Sequence, residues 1–78
     1  MYRMKNETEN TTYNLTQTEY EVLKHLINGE NNMTIANNMF VSVNTIKIHM
    51  KNIFRKLEVP NRTKAVLKSI KCNIINLT

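Results

Sequence analysis

The chain has 78 residues and a mass of 9.2 kDa, with a formal net charge of +5 and a pI near 9.6. Folding at that length hides only about 60% of the unfolded chain's surface, which excludes a second domain and a roomy catalytic cavity. One Gly, one Pro and one Cys exclude glycine-rich phosphate loops, repeated hairpins, a disulfide framework and a thiolate zinc site, and the surplus of cations points toward polyanions.

Hydrophobic residues make up 41% and charged residues 22%, a globular balance. No apolar run approaches the ~20 residues of a membrane span, and the opening MYRMKNETENTTYN has no apolar stretch after its basic residues, so it does not read as a secretory leader. The expectation is a cytoplasmic protein in which Cys72 stays reduced. Six Asn-x-Thr triplets follow from thirteen Asn and are not read as glycosylation sites.

Residues 1–14 are polar and aperiodic and read as a flexible arm. Thr16 with Glu19 three positions on forms a capping box, and Leu15 with Tyr20 a hydrophobic staple. Tyr20, Val22, Leu23, Leu26 and Ile27 share one broad arc, predicting a helix over 17–28 that Gly29 stops in left-handed geometry. Asn31 caps a short helix over 32–39 with Ile35, Ala36 and Met39 inward, and Ser42 caps the next, over 43–57. At about 100° per residue, Met50, Ile53 and Leu57 fall within about 40° of Ile46, with Phe54 beside them. Asn44, Ile48, Lys51, Asn52 and Arg55 lie on the opposite side, with Lys47 at its edge. Val59-Pro60 breaks the chain, because a residue before proline avoids helical geometry. Asn61 caps a fourth helix over about 62–72, with Val66, Leu67, Ile70 and Ile74 on one arc and Lys64, Lys68 and Lys71 on another. Residues 15–73 thus form the folded domain and 74–78 a tail.

The second and third helices, joined by a tight link, outline a helix-turn-helix over about 32–57. In such a pair the second helix lies in the major groove of duplex DNA. Lys47 and Lys51 can donate to guanine or phosphate, Asn44 or Asn52 can pair with an adenine edge or a phosphate, and Ile48 fits a thymine methyl group. The charge is distributed accordingly: residues 1–43 carry three cations and five Glu (−2), and residues 44–78 carry eight cations and Glu58 alone (+7).

The residues Leu15-Thr16-x-x-Glu19-x-Glu21-Val22-Leu23, Gly29, Ile35-Ala36, Ser42-Val43-Asn44-Thr45-Ile46-Lys47-Ile48-His49, Asn52-Ile53, Lys56-Leu57, Val59, Asn61-Arg62 and Ala65-Val66 resemble a LuxR/GerE-type DNA-binding domain over about residues 15–70. The resemblance implies an all-α, four-helix domain of winged-helix-like kind without a wing. It implies base contacts from the positions of Lys47, Ile48 and Lys51, to which the exposed face adds Asn44. Phosphate contacts are implied for Thr45, Asn52, Lys56 and the start of the second helix, here Thr34; Arg55 and His49 join them from their places on the third helix. It also implies a homodimer through the fourth helix, with Val66, Leu67, Ile70 and Ile74 shared between core and partner, and RNA polymerase as a further partner. With only fourteen residues before the domain, the chain is similar to the stand-alone GerE-like regulators, with no receiver or autoinducer-binding domain. Thr18, Thr34 and Glu58 depart from the family pattern. The first two remove a familiar ion pair between the first two helices, and Glu58 stands where Gly is usual, at about 1 kcal/mol if left-handed.

No catalytic residue, cofactor, metal or small-molecule ligand is expected. Asp is absent, His25 and His49 sit on different helices, and Tyr2, Tyr13 and Tyr20 form no stacking platform. Two other readings stay open on the residues: a dimerising protein-interaction module of the same fold that has lost DNA binding, and the output domain of a larger response regulator.

Overall fold

A computed structural model describes residues 13–75, so the first twelve residues of the arm expected over 1–14, and the last three residues of the chain, lie outside the described residues. Among the described residues four helices follow in order: α1 (Gln17–Ile27), α2 (Asn32–Met39), α3 (Val43–Leu57) and α4 (Arg62–Lys71). Among the described residues there is no strand. α1 and α4 each end one residue earlier than expected. Among the described residues no helix is long and apolar enough to cross a membrane.

Each helix starts on a side-chain cap. The Glu19 N–H donates to Thr16 Oγ1 (3.1 Å) while the Thr16 N–H donates to Glu19 Oε1 (3.0 Å), closing the capping box. Asn31, Ser42 and Asn61 likewise accept from the third N–H of α2, α3 and α4. Each cap satisfies a donor that the helix cannot satisfy itself.

All four helices also stop in the same way. The pairs Glu30 N–H to His25 O and Gly29 N–H to Leu26 O close the end of α1, and α2, α3 and α4 repeat both bonds at the same spacing. This double closure needs a left-handed residue just past the helix. With one Gly in the chain, only α1 has the residue that adopts it without penalty; Phe40, Glu58 and Asn73 take the other three seats at φ of 60°, 59° and 55°. Glu58 therefore does adopt the geometry in which the family has Gly.

The core forms where α3 crosses the other three helices. Ile46, Ile53 and Leu57 of α3 are completely buried and Met50 nearly so, against Val22, Leu23 and Leu26 of α1 and Ile35 of α2. Three corrections concern its edges. Tyr13, expected in the arm, packs against this core, and its hydroxyl is pushed up by a hydrogen bond with Cys72 and by burial. Ile74, expected at the dimer face, is 2% exposed and belongs to the core. Ile75, expected in the tail, is buried beside it. The Lys68 ammonium sits over the Tyr13 ring and donates to the Leu57 carbonyl at 2.7 Å, so α4 is tied to the carbonyl end of α3, where a cation is favoured.

Candidate nucleic-acid interface

Burying Ile46, Met50, Ile53 and Leu57 turns the other side of α3 outward. Asn44, Lys47, Ile48, Lys51 and Arg55 are all exposed on it, and Ile48 keeps 60% of its surface in water. The face is cationic without local compensation: among the described residues Lys47, Lys51 and Arg55 make no ion pair. Arg55 Nη2 donates to Asn52 Oδ1 at 3.2 Å, which holds the guanidinium along the helix surface with its remaining donors available. Ser42 Oγ and Thr45 Oγ1 lie 3.0 Å apart at the start of the helix, so the first turn of α3 carries two hydroxyls beside free N–H groups. Thr34, in the first turn of α2, is exposed.

Lys56 departs from its expected role as a phosphate contact. Its Nζ donates to Glu19 Oε1 at 2.6 Å, and its side chain is 18% exposed against 6% for the carboxylate. Burial pushes the Glu19 carboxyl up, but the hydrogen bonds from Lys56 and from the Thr16 N–H, with the Lys56 charge and a smaller effect of His49, hold it below the usual carboxylate range. One carboxylate thus closes the α1 cap and pins α3. His49, on the same helix, is half-buried, and its charge adds a small effect on the Glu19 carboxylate. The spacing within α3 gives no sign of this, because the partner lies 37 residues away in sequence.

The link between α1 and α2 is also rebuilt from residues that the sequence pattern did not single out. His25 Nδ1 lies 2.9 Å from Glu30 Oε1, which also accepts from Asn38 Nδ2 at 3.0 Å. Arg62 Nη2 donates to the Glu30 carbonyl and to Asn32 Oδ1, each at 3.3 Å, which anchors the start of α4 to the start of α2.

On α4, Leu67 and Ile70 are 55% and 49% exposed and one turn apart, with Val66 half-buried beside them. At the turn between α2 and α3, Phe40 is 93% exposed. Among the described residues no cluster of His, Cys or Glu has the composition to hold a metal ion.

Comparison with known proteins agrees with this geometry. The family model of the bacterial regulatory proteins of the luxR family matches residues 13–69, beginning at the tyrosine that packs on the core. The chain is 44% identical over 62 residues to the transcriptional regulatory protein YhcZ of Bacillus subtilis (strain 168), covering 80% of this chain and 29% of the relative. It is 48% identical over 52 residues to the CsgBAC operon transcriptional regulatory protein of Escherichia coli (strain K12), covering 67% and 24%. With the response regulator protein VraR of Staphylococcus aureus (strain NCTC 8325 / PS 47) it shares 39% over 61 residues, covering 78% and 29%. The chain therefore spans less than a third of the length of these curated relatives. Four capped helices, the α3 stripe and the match over residues 13–69 lead to one conclusion: the chain belongs to the LuxR family of bacterial regulatory proteins.

Proposed function

We propose that the chain is a sequence-specific binder of double-stranded DNA that regulates transcription, with α3 in the major groove. The observation that carries this reading is the outward face of α3, where Lys47, Lys51 and Arg55 stand unpaired around an exposed Ile48, opposite a stripe that is almost wholly buried. Uncompensated cations on one rigid helix repel one another, and a polyanion relieves that repulsion. Asn44, Lys47, Ile48 and Lys51 read base edges; Thr34, Thr45, Asn52 and Arg55 hold phosphates, with His49 at the margin. Lys56 contributes through Glu19, by holding α3 in place.

The chain acts as a homodimer through α4. Leu67 and Ile70 supply the apolar contact, since two large aliphatic side chains a turn apart are otherwise left in water. Val66 supports them from below.

In vitro selection from random duplexes, followed by titration of the selected site against salt, tests the reading. A defined half-site repeated at fixed spacing is expected, and affinity should fall with a log–log slope of about −0.9 per phosphate contact. A chain that selects no sequence, and that instead forms a salt-insensitive complex with a protein, would establish the interaction-module alternative.

A further inference from the structure

A cleft of 420 Å³ runs along the flank of α3, where the first residues of α2 and α4 meet it. Met50 and Phe54 form its floor, and Asn32, Lys47, Lys51 and Arg62 form its rim. Three cations thus surround one space that no carboxylate lines, and none of them makes an ion pair among the described residues. Lys56, five residues past Lys51 and on another side of α3, shows the contrast, because it has found Glu19.

Arg62 is the member that the recognition helix does not supply. Its Nη2 is held by two neutral acceptors, the Glu30 carbonyl and Asn32 Oδ1, so the guanidinium is fixed in place but keeps its charge. Its Nε and Nη1 donors have no acceptor among the described residues. A guanidinium so held loses little conformational freedom on binding and matches two oxygens of one phosphate. In a helix-turn-helix the first helix of the pair crosses the DNA backbone, and Asn32 at the start of α2 brings that crossing to the rim of this cleft.

We propose that the cleft seats one backbone phosphate of the duplex, gripped by Arg62 while Lys47 and Lys51 on the rim reach past it to the base edges, and that the deoxyribose beside it lies over Met50 and Phe54. The proposal rests on the reading of α3 as a major-groove helix and adds a residue outside that helix to the DNA-binding surface. It also gives the α1–α2 loop a part in binding, because Glu30 and Asn32 orient the guanidinium.

The test uses the full chain and its selected duplex, with backbone phosphates replaced singly by neutral methylphosphonates. In the wild type, neutralising the phosphate at the cleft weakens binding on the order of tenfold. Arg62→Gln should weaken selected and unrelated duplexes alike, lower the salt slope by about 0.9 per subunit, and be insensitive to that one replacement. Because Arg62 also joins α4 to α2, a wild-type measurement accompanies the variant: the Arg62 Nε–H resonance should move on adding duplex, and should stay put when that phosphate is neutral. If no single neutral phosphate affects the resonance, or if a folded Arg62→Gln keeps the wild-type slope, the phosphate seat is refuted while the DNA reading stands. A wild-type chain that binds no duplex refutes both.

Discussion

The Glu19–Lys56 pair separates a structural role for Lys56 from a DNA-contacting one, and the substitution that does so is Lys56→Met. It keeps the aliphatic stem and removes the ammonium that donates to Glu19 Oε1 at 2.6 Å. Stranding one member of a fully buried pair costs about 3–5 kcal/mol. The Lys56 side chain is 18% exposed and the carboxylate keeps its bond from the Thr16 N–H, so water and the cap offset part of that loss. We expect about 2 kcal/mol, against a total near 4–12 kcal/mol for a domain of this size, or a fall in Tm of about 8–16 °C. Adding Glu19→Gln removes the stranded charge, and the double variant should recover about 1 kcal/mol. The acid limb gives an independent reading. The folded Glu19 carboxyl titrates below its ordinary range, so its stabilisation is present above the unfolded carboxyl's titration and is lost as pH falls through the folded value. Wild-type stability should therefore drop below about pH 5, and Glu19→Gln should flatten that drop. Denaturant titrations from neutral to acid pH measure both effects, and a salt titration with DNA completes the set. A Lys56→Met domain within about 0.5 kcal/mol of wild type that also loses about 0.9 of salt slope would refute the argument and return Lys56 to the phosphates.

Lys51→Ala should relax preference at one base pair by about 1–3 kcal/mol, whereas Arg55→Ala should weaken all duplexes alike; parallel selections with each variant show which pattern holds. Ile48→Ala should lose affinity that replacing one target thymine by uracil reproduces, and an operator indifferent to that uracil would rule out the methyl contact. Glu58→Gly should raise stability by roughly 0.5–1 kcal/mol, since Glu58 sits at φ 59° and ψ 48° with its carboxylate in solvent, and a thermal melt is sufficient to see it. Leu67→Asp together with Ile70→Asp should leave the monomer folded and abolish the dimer, which sedimentation velocity would resolve.

Much of the fold was legible because its signals are local. A cap acts over three residues and a buried stripe repeats every turn, so Thr16, Asn31, Ser42 and Asn61 mark the helix starts, and Ile46 to Leu57 mark the inner side of α3 before any contact is known. The outward face of α3 follows by geometry from that stripe, which is why Asn44, Lys47, Ile48, Lys51 and Arg55 could be named as exposed from the pattern alone. The helix stops were half legible. Gly29 announces its left-handed seat and Asn73 does so more weakly, but Phe40 and Glu58 occupy the same seat without a matching residue type.

What tertiary structure decided is which of these residues have partners far along the chain. Lys51 and Lys56 are both lysines on one helix, yet one stays in solvent and the other meets Glu19 of α1. Ile70 and Ile74 continue one apolar pattern, yet a left-handed turn at Asn73 leaves the first exposed and folds the second into the core. Arg62 reads as an ordinary cation just inside a cap, and only the meeting of the first residues of α2 and α4 gives it Asn32 and a wall of the cleft beside α3. The sequence by itself determined the four helices, their starts and the charged outer face, because those depend on periodicity and on bonds within a turn. The crossing of the helices decided which cations are free to meet a phosphate, because charges separated by tens of residues are brought together only by packing.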